Sequence, residues 1–278
     1  MDKIEIDYKK LKAFLEGLYY VYARRELVYP DPLWYLYKYD DIRDREIVGL
    51  IASSLAYGRV MQIMTSVDRV LSCLGSRPRE FLLKHGDSDI VPPSFKHRFT
   101  TSYDMNNFLR NIREAIIEYD SIENLLVSNL PENVSKLAGS DKKIFEALDK
   151  FSGFLMRGAK PRSFPLMTSP LRGSASKRLY LYMRWLVRSC DVDPGGWTAL
   201  SPSQLLIPCD THILNISAHL GLIHSRQTSI SSAIAISANF SAVCFHDPAK
   251  FDFPLTRFGL RSGLPSVYTY SIVNETCL

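Results

Sequence analysis

The chain has 278 residues, of which 46% are hydrophobic and 23% charged, and 34 Lys and Arg against 29 Asp and Glu give it a formal net charge of +5. This length and apolar content exclude a disordered or collagen-like chain and suit one large domain or two closely packed lobes. No apolar run approaches the roughly 18 residues of a membrane-spanning helix, and the N-terminus lacks the apolar core of a signal peptide, so we expect a cytoplasmic protein.

Helical periodicity dominates the N-terminal half. Apolar residues recur there at three- and four-residue spacing, as on the buried face of an amphipathic helix, and Pro- and Gly-rich breaks separate these stretches. No internal repeat and no series of alternating strands is visible, so the sequence predicts a mostly α-helical protein. The predicted helices of this half cover approximately residues 8–27, 44–57, 63–74, 104–118 and 141–156.

The C-terminal half contains two predicted helices joined by a connector rich in Pro, Gly and Ser. The first covers residues 174–188, and the second begins after Asp210. Lys177, Arg184 and Arg188 fall at i, i+7 and i+11 of the first helix, which predicts one exposed basic stripe. Such a stripe indicates a polyanionic partner more strongly than the net charge does.

Asp210 follows an apolar run and precedes the second of these helices, which is the N-cap position. The simpler interpretation is a helix cap whose carboxylate accepts backbone N–H bonds. The functional interpretation is that the cap is reused, because a carboxylate held ionised at a dry helix start can stabilise a developing cation or orient a nucleophile.

Lys177 allows the same two interpretations. A lysine on a helix face is most often a solvated charge. Here, however, it follows Gly173 and Ser174 closely, lies near the positive end of a helix and is adjacent to Arg178. Positive charge and partial burial both favour the neutral amine of a lysine, and a neutral amine is a nucleophile that can form a Schiff base.

These two residues lie in segments that resemble the helix-hairpin-helix DNA glycosylase superfamily, typified by endonuclease III. Residues 205–221, with a Pro-x-Asp-Thr-His core, resemble its catalytic-Asp segment, and residues 173–178 lie where its hairpin and Schiff-base lysine belong. Residues 50–58 resemble its early helix, which leads into the loop that probes the DNA, and residues 251–259 resemble its closing helix.

The chain also departs from the usual superfamily pattern. Of the Leu-Pro-Gly-Val-Gly hairpin only Gly173 remains, and the interval from Lys177 to Asp210 is longer than in the usual motif, as in the archaeal 8-oxoguanine DNA glycosylase/lyase branch. The five cysteines are scattered, which excludes the iron–sulfur subgroup and favours free thiols. The whole chain resembles an uncharacterised bacterial family of the superfamily through its patterns at residues 173–178, 184–185 and 201–212.

The resemblance implies an all-α fold of two helical lobes with a DNA-binding cleft between them. Residues 1–260 would form this single two-lobed domain, and residues 261–278 form a tail that matches nothing known and is a candidate for disorder. The implied function is base-excision repair: the enzyme flips out an oxidised purine, with 8-oxoguanine favoured, and removes it. The amine of Lys177 would attack the sugar C1′, giving a Schiff base and β-lyase activity, while Asp210 stabilises the cationic sugar.

The resemblance also assigns residues to DNA contacts and to a base pocket. Arg59 would fill the gap left by the flipped base, although a solvated loop charge is an equal alternative, and Trp185 is alternatively a core residue. The predicted phosphate contacts are Gly173, Ser174, Arg178, Arg184 and Arg188. The predicted base-pocket residues are Tyr57, Trp185, Trp197 and His212.

We expect a monomer that binds double-stranded DNA containing a damaged base and uses no cofactor, metal or membrane. His212 and His219 share a helix face, but no further ligand is arranged near them to complete a metal site. Two alternatives stay open. One is a non-catalytic nucleic-acid-binding protein that retains the fold, and the other is a monofunctional glycosylase without lyase activity.

Overall fold

The protein is almost entirely helical, as the sequence predicts. The computed structural model describes residues 6–85, 87–131, 142–161, 163–225 and 227–261. This part of the chain contains eleven α-helices and one two-stranded antiparallel sheet, β1 (Lys96–His97) with β2 (Thr100–Thr101). The helices are α1 (Tyr8–Tyr22), α2 (Ile42–Ser54), α3 (Val60–Leu74), α4 (Pro78–His85), α5 (Ser102–Tyr119), α6 (Ile122–Val127), α7 (Lys142–Leu155), α8 (Lys177–Val187), α9 (Thr211–His219), α10 (Ile230–Val243) and α11 (Asp252–Arg261).

Local chemistry sets several of the helix ends. The carboxylate of Asp41 accepts the N–H of Arg43 and caps α2, and Thr101 and Asp104 form a reciprocal capping box at the start of α5. The first predicted helix is shorter than expected: α1 ends at Tyr22, and Arg25–Leu27 form a separate 3₁₀ turn. Other 3₁₀ turns begin at prolines, among them Pro32–Lys38, Pro170–Arg172 and Pro248–Phe251.

Helix α2 lies at the centre of the packing. Its residues from Glu46 to Ser54 are all buried, and it packs against α8 and against the 3₁₀ turn Pro32–Lys38. Gly49 allows the close approach of α8, because a Cβ at this position would lie only 3.3 Å from the ring of Tyr182. Trp185 of α8 is fully buried, which confirms its interpretation as a core residue.

The two ends of the described chain meet in space. Helix α1 packs against α10 and α11, and α11 also packs against α9, while α5 contacts α4, α6 and α7. One continuous apolar core extends through these helices. The division into two lobes stays a prediction, and residues 262–278 of the predicted tail lie outside the described residues. None of the helices in the described part of the chain is long and apolar enough to cross a lipid bilayer.

Candidate active site

The structure brings Lys177 and Asp210 into direct contact. Lys177 is the first residue of α8, and Asp210 is the N-cap residue of α9. The Lys177 Nζ lies 2.8 Å from the Asp210 Oδ2, and the two side chains are 38% and 18% exposed. An ion pair at the starts of two helices is therefore accessible to a ligand from solvent.

Asp210 serves as a helix cap and as an ion-pair partner at the same time. The buried run Leu205–Cys209 leads into the cap, and the Asp210 Oδ1 accepts the N–H groups of His212 and Ile213, both at 2.9 Å. This confirms the predicted N-cap. Because Oδ1 makes the cap bonds, Oδ2 is left to face Lys177.

The turn before α8 projects Lys177 from the helix start. Gly173 has φ of +82°, which a glycine adopts readily, and its carbonyl accepts the N–H of Ile230 at 3.1 Å. Ser176 also has a positive φ, of 45°, which costs a residue with a Cβ about 1–2 kcal/mol. The Gly173 N–H donates to the carbonyl of Pro170, so the prediction that this amide is free to contact a phosphate is wrong.

Electrostatics favour an ionised Asp210. Burial would by itself raise the pKa of the Asp210 carboxyl, but the Lys177 ammonium and the N–H of Ile213 outweigh burial and hold that pKa below its ordinary value. The neighbouring Cys209 thiol is fully buried, and burial together with the Asp210 charge raises its pKa to about 12. Asp210 is thus an anion at neutral pH, whereas Cys209 stays a neutral thiol.

The predicted exposed basic stripe on α8 is wrong for both arginines. Arg184 and Arg188 are buried, and both form ion pairs with the fully buried Asp193. Arg184 also pairs with Asp252, and Arg188 pairs with Asp247 at 2.8 Å. Helical spacing placed the arginines on one face, but that face is covered by the connector that follows α8, which supplies Asp193, and by a segment distant in sequence, which supplies Asp247 and Asp252. Neither side chain can contact a phosphate in this arrangement.

This buried charge network extends to the candidate active site. Burial raises the pKa of Asp252 to about 6, Arg184 opposes the shift, and the charges of Asp210 and Lys177 also act on this carboxyl. Sequence reasoning did not single out Asp193, although this residue joins the two arginines. An acidic residue in a connector carries no sequence signal that distinguishes it from a solvated charge.

Arg178, the residue after Lys177, also faces inward. It donates to the carbonyls of Ser54 at 3.1 Å and Pro165 at 2.6 Å, and its guanidinium lies over the rings of Tyr57 and Phe164. The predicted phosphate contact of Arg178 is therefore wrong in this arrangement, because the side chain is buried and its donors are engaged by the protein.

A family model matches residues 31–261, from before α2 to the end of α11. The chain belongs to the DUF2400 family. This family is described as one of proteins of unknown function, and its model spans both Lys177 and Asp210. No curated protein and no solved structure matches the chain.

The predicted base-pocket residues of this DUF2400 protein differ in exposure. Trp185 and Trp197 are buried, and the Trp197 Nε1 donates to Glu46 at 3.2 Å, so neither indole is presented to solvent and their place in a base pocket stays a prediction. Tyr57 is half-buried, and His212 is exposed one turn from the Asp210 cap.

The remaining predicted DNA contacts differ in exposure. Arg59 is exposed at the start of α3, and Ser174 is half-buried in the turn before α8. Within the described residues, no group of three His, Cys, Asp or Glu side chains is placed to hold a metal ion. Four of the five cysteines fall in this part of the chain, and all four are free thiols.

Proposed function

We propose that the protein is a DNA glycosylase with abasic-site lyase activity that removes an oxidised purine, with 8-oxoguanine favoured. The observation that carries this proposal is the contact between Lys177 Nζ and Asp210 Oδ2 at 2.8 Å. An amine and a carboxylate at this distance supply a nucleophile and a proton acceptor at one point. Their partial exposure leaves room for a nucleotide that has been flipped out of the duplex.

The covalent step follows from these two groups. Nζ passes a proton to Oδ2, and its lone pair forms a bond to the sugar C1′ while the glycosidic C1′–N bond breaks. The bonding electrons leave with the base nitrogen, which takes up the proton that Oδ2 received, so Asp210 is again a carboxylate. The C1′–O4′ bond then breaks as Nζ passes a proton to O4′, and the nitrogen lone pair forms the C1′=N bond of the Schiff base. In β-elimination the carboxylate removes a proton from C2′, the electrons of that C–H bond form the C2′=C3′ double bond, and the C3′–O bond breaks so that its electrons leave with the 3′ phosphate.

A two-lobed helix-hairpin-helix architecture with a DNA cleft is part of the same proposal. The 3₁₀ turn Pro170–Arg172 and the left-handed Gly173 lead into helix α8, which begins at Lys177, and this tight turn directly before the nucleophile supports the proposal. The exposed Gly173 leaves open space, since nothing lies within 4 Å of a Cβ added there. A DNA backbone can approach closely at such a turn.

Borohydride trapping tests the lyase activity. The reductant converts a Schiff base into a stable covalent complex, so we expect wild type and Lys160→Ala to trap abasic and 8-oxoguanine DNA while Lys177→Ala does not. Lys160 is a matched control because its ammonium lies over the ring of Tyr103, 3.9 Å from the centroid, and does not contact Asp210. If neither abasic nor lesion-containing DNA is trapped by the wild type, the lyase proposal is wrong. If the wild type is trapped, a panel of duplexes that each carry one lesion identifies the substrate base.

A monofunctional glycosylase is the second candidate, and the ionised state of Asp210 favours it. A partly buried anion can stabilise a cationic sugar without a covalent bond to lysine. This candidate predicts base release that survives Lys177→Ala and is lost in Asp210→Asn. Asparagine caps helices about as well as aspartate, so the second variant removes the charge and keeps the cap.

A further inference from the structure

Three aromatic rings form a stack that ends in solvent. The ring centroids of Tyr57 and Phe164 are 4.5 Å apart with an interplanar angle of 33°, and those of Phe164 and Phe99 are 5.6 Å apart at 35°. Tyr57 and Phe164 are half-buried, whereas Phe99 is 62% exposed. The stack therefore presents an aromatic side chain to the solvent instead of completing a core.

The exposed end of the stack is held in place by a tight hairpin. Arg98 and Phe99 form the two-residue turn between β1 and β2, and Arg98 has φ of 50°. The Tyr57 hydroxyl bonds the carbonyl of His97 at 2.9 Å and the hydroxyl of Thr100 at 2.6 Å. The position of Phe99 is thus fixed before any ligand binds, which lowers the entropic cost of binding.

Positive charge lies around this hairpin. The guanidinium of Arg98 is 5.5 Å from the ring centroid of Phe99, Lys96 belongs to β1, and Arg98 also approaches Gly58, the residue before Arg59. Arg59, Lys96 and Arg98 are exposed, and none of them forms an ion pair within the described part of the chain. A cavity of about 330 Å³ beside the hairpin is lined by Arg69, Lys96 and Arg98 and by no carboxylate. An aromatic ring among uncompensated cations complements a nucleic-acid strand, since bases stack on aromatic rings and phosphates pair with cations.

The stack is connected to the candidate nucleophile. The guanidinium of Arg178 lies 4.9 Å from the centroid of Phe164 and 5.2 Å from that of Tyr57, and Arg178 directly follows Lys177 at the start of α8. One set of contacts therefore runs from the exposed Phe99 through Phe164 and Arg178 to the helix start that carries the reactive amine. Phe99 is thereby linked through contacting side chains to the residue that follows Lys177.

We propose that Phe99 stacks on an unpaired base of a DNA strand while Arg59, Lys96 and Arg98 contact its phosphates. This inference rests on the proposed function, because removal of a nucleotide from a duplex leaves its partner base unpaired. The site's ligand class is thus DNA with a locally unpaired nucleotide. Fully paired duplex offers phosphates but no open base for the ring.

Fluorescence anisotropy with two labelled duplexes tests this inference. One duplex is fully paired, and the other has the same sequence with a single unpaired nucleotide opposite an abasic site. We expect wild type to prefer the second duplex and Phe99→Ala to lose about tenfold in affinity for it, since stacking contributes roughly 1–3 kcal/mol per base and 1.4 kcal/mol is tenfold. Affinity for the paired duplex should change less than about twofold, because only phosphate contacts remain there.

Matched variants separate stacking from loss of the fold. Phe245→Ala removes a phenylalanine that is 57% exposed elsewhere on the surface, and it should leave both affinities unchanged. Phe99→Trp should restore the preference, because an indole also stacks on bases. Lys96→Gln should weaken binding to both duplexes and reduce the salt dependence by about one phosphate contact. Equal behaviour of Phe99→Ala and Phe245→Ala would overturn the proposal, as would a wild type with no preference for the unpaired nucleotide.

Borohydride trapping distinguishes a failure of this inference from a failure of the proposed function. Suppose that wild type and Phe99→Ala trap abasic DNA equally and that Phe99→Ala has the same preference between the two duplexes as the wild type. The stacking site is then wrong, while the lyase proposal stands. If no DNA is trapped but Phe99→Ala loses affinity for the unpaired nucleotide, the binding surface stands and the lyase is wrong.

Discussion

Arg184→Met tests the assignment of Arg184 to a buried charge network against its earlier assignment to a DNA contact. Arg184 is 3% exposed and pairs with Asp193 and Asp252, which are also buried. Methionine fills much of the same volume but removes the charge, so it leaves both carboxylates with less compensation. Breaking a buried pair by removing one partner costs about 3–5 kcal/mol. That is a large part of the roughly 5–15 kcal/mol by which a typical protein is stable.

The pH dependence of this cost follows from Asp252. Its pKa of about 6 already lies above that of an unfolded aspartate, so its contribution to stability is present at low pH and is lost as the pH rises through 6. Arg184 lowers this pKa, and its removal raises the pKa further. In the variant, the contribution of Asp252 to stability is therefore lost over a range that extends to higher pH. We expect the free energy of unfolding to fall more in Arg184→Met at pH 8 than at pH 5.

Urea denaturation followed by circular dichroism measures both effects. Arg77→Met is the control, because Arg77 pairs with Glu80 on the surface and both side chains are largely exposed, so its loss should cost less than about 1 kcal/mol. If Arg184→Met costs no more than Arg77→Met, the buried network does not stabilise the protein. An unchanged stability with a weaker, less salt-dependent affinity for DNA would instead support the phosphate contact that the sequence predicts.

Further variants test the candidate site and the core. Lys177→Met should raise the pKa of the Asp210 carboxyl in an NMR titration, because the largest influence that opposes burial is then removed. The stability difference from wild type should shrink as the pH falls below about 4, and an unchanged titration would contradict the ion pair. Gly173→Ala should cost about 1 kcal/mol through its positive φ alone, whereas Gly196→Ala should cost clearly more in urea denaturation, since its methyl group would lie 2.1 Å from the nearest side-chain carbon. Trp185→Ala should lower the free energy of unfolding by about 3–5 kcal/mol, and a small loss would place this indole outside the core.

The helical class and most helix positions follow from the sequence because they depend on local periodicity and end signals. The predicted helix at 104–118 corresponds to α5, Ser102–Tyr119, and the one at 141–156 to α7, Lys142–Leu155. The predicted and observed helices differ mainly at helix ends, whose positions depend on the backbone conformation of single residues. The helix predicted from residue 174 begins only at Lys177, because Ser176 adopts a positive φ that no residue pattern announces.

The two central site residues were predictable for the same local reason. Asp210 is recognisable as an N-cap from the apolar run before it and the helix after it, and Lys177 from its position after a glycine-containing turn. Both residues lie in segments that resemble the same glycosylase superfamily, and this resemblance suggested that they act together. The contact at 2.8 Å depends instead on how α8 and α9 are placed, which is a tertiary property.

The helical class, the cap at Asp210 and the position of Lys177 near a helix start all follow from local sequence patterns. The amount of positive charge that the protein carries follows from its composition. Which of these charges a ligand can reach depends on the packing of the folded chain: Arg184 and Arg188 are enclosed by aspartates from other segments, whereas Arg98 lies exposed beside Phe99. Helical spacing defines a face, but burial and charge compensation depend on the residues from elsewhere in the chain that pack against that face.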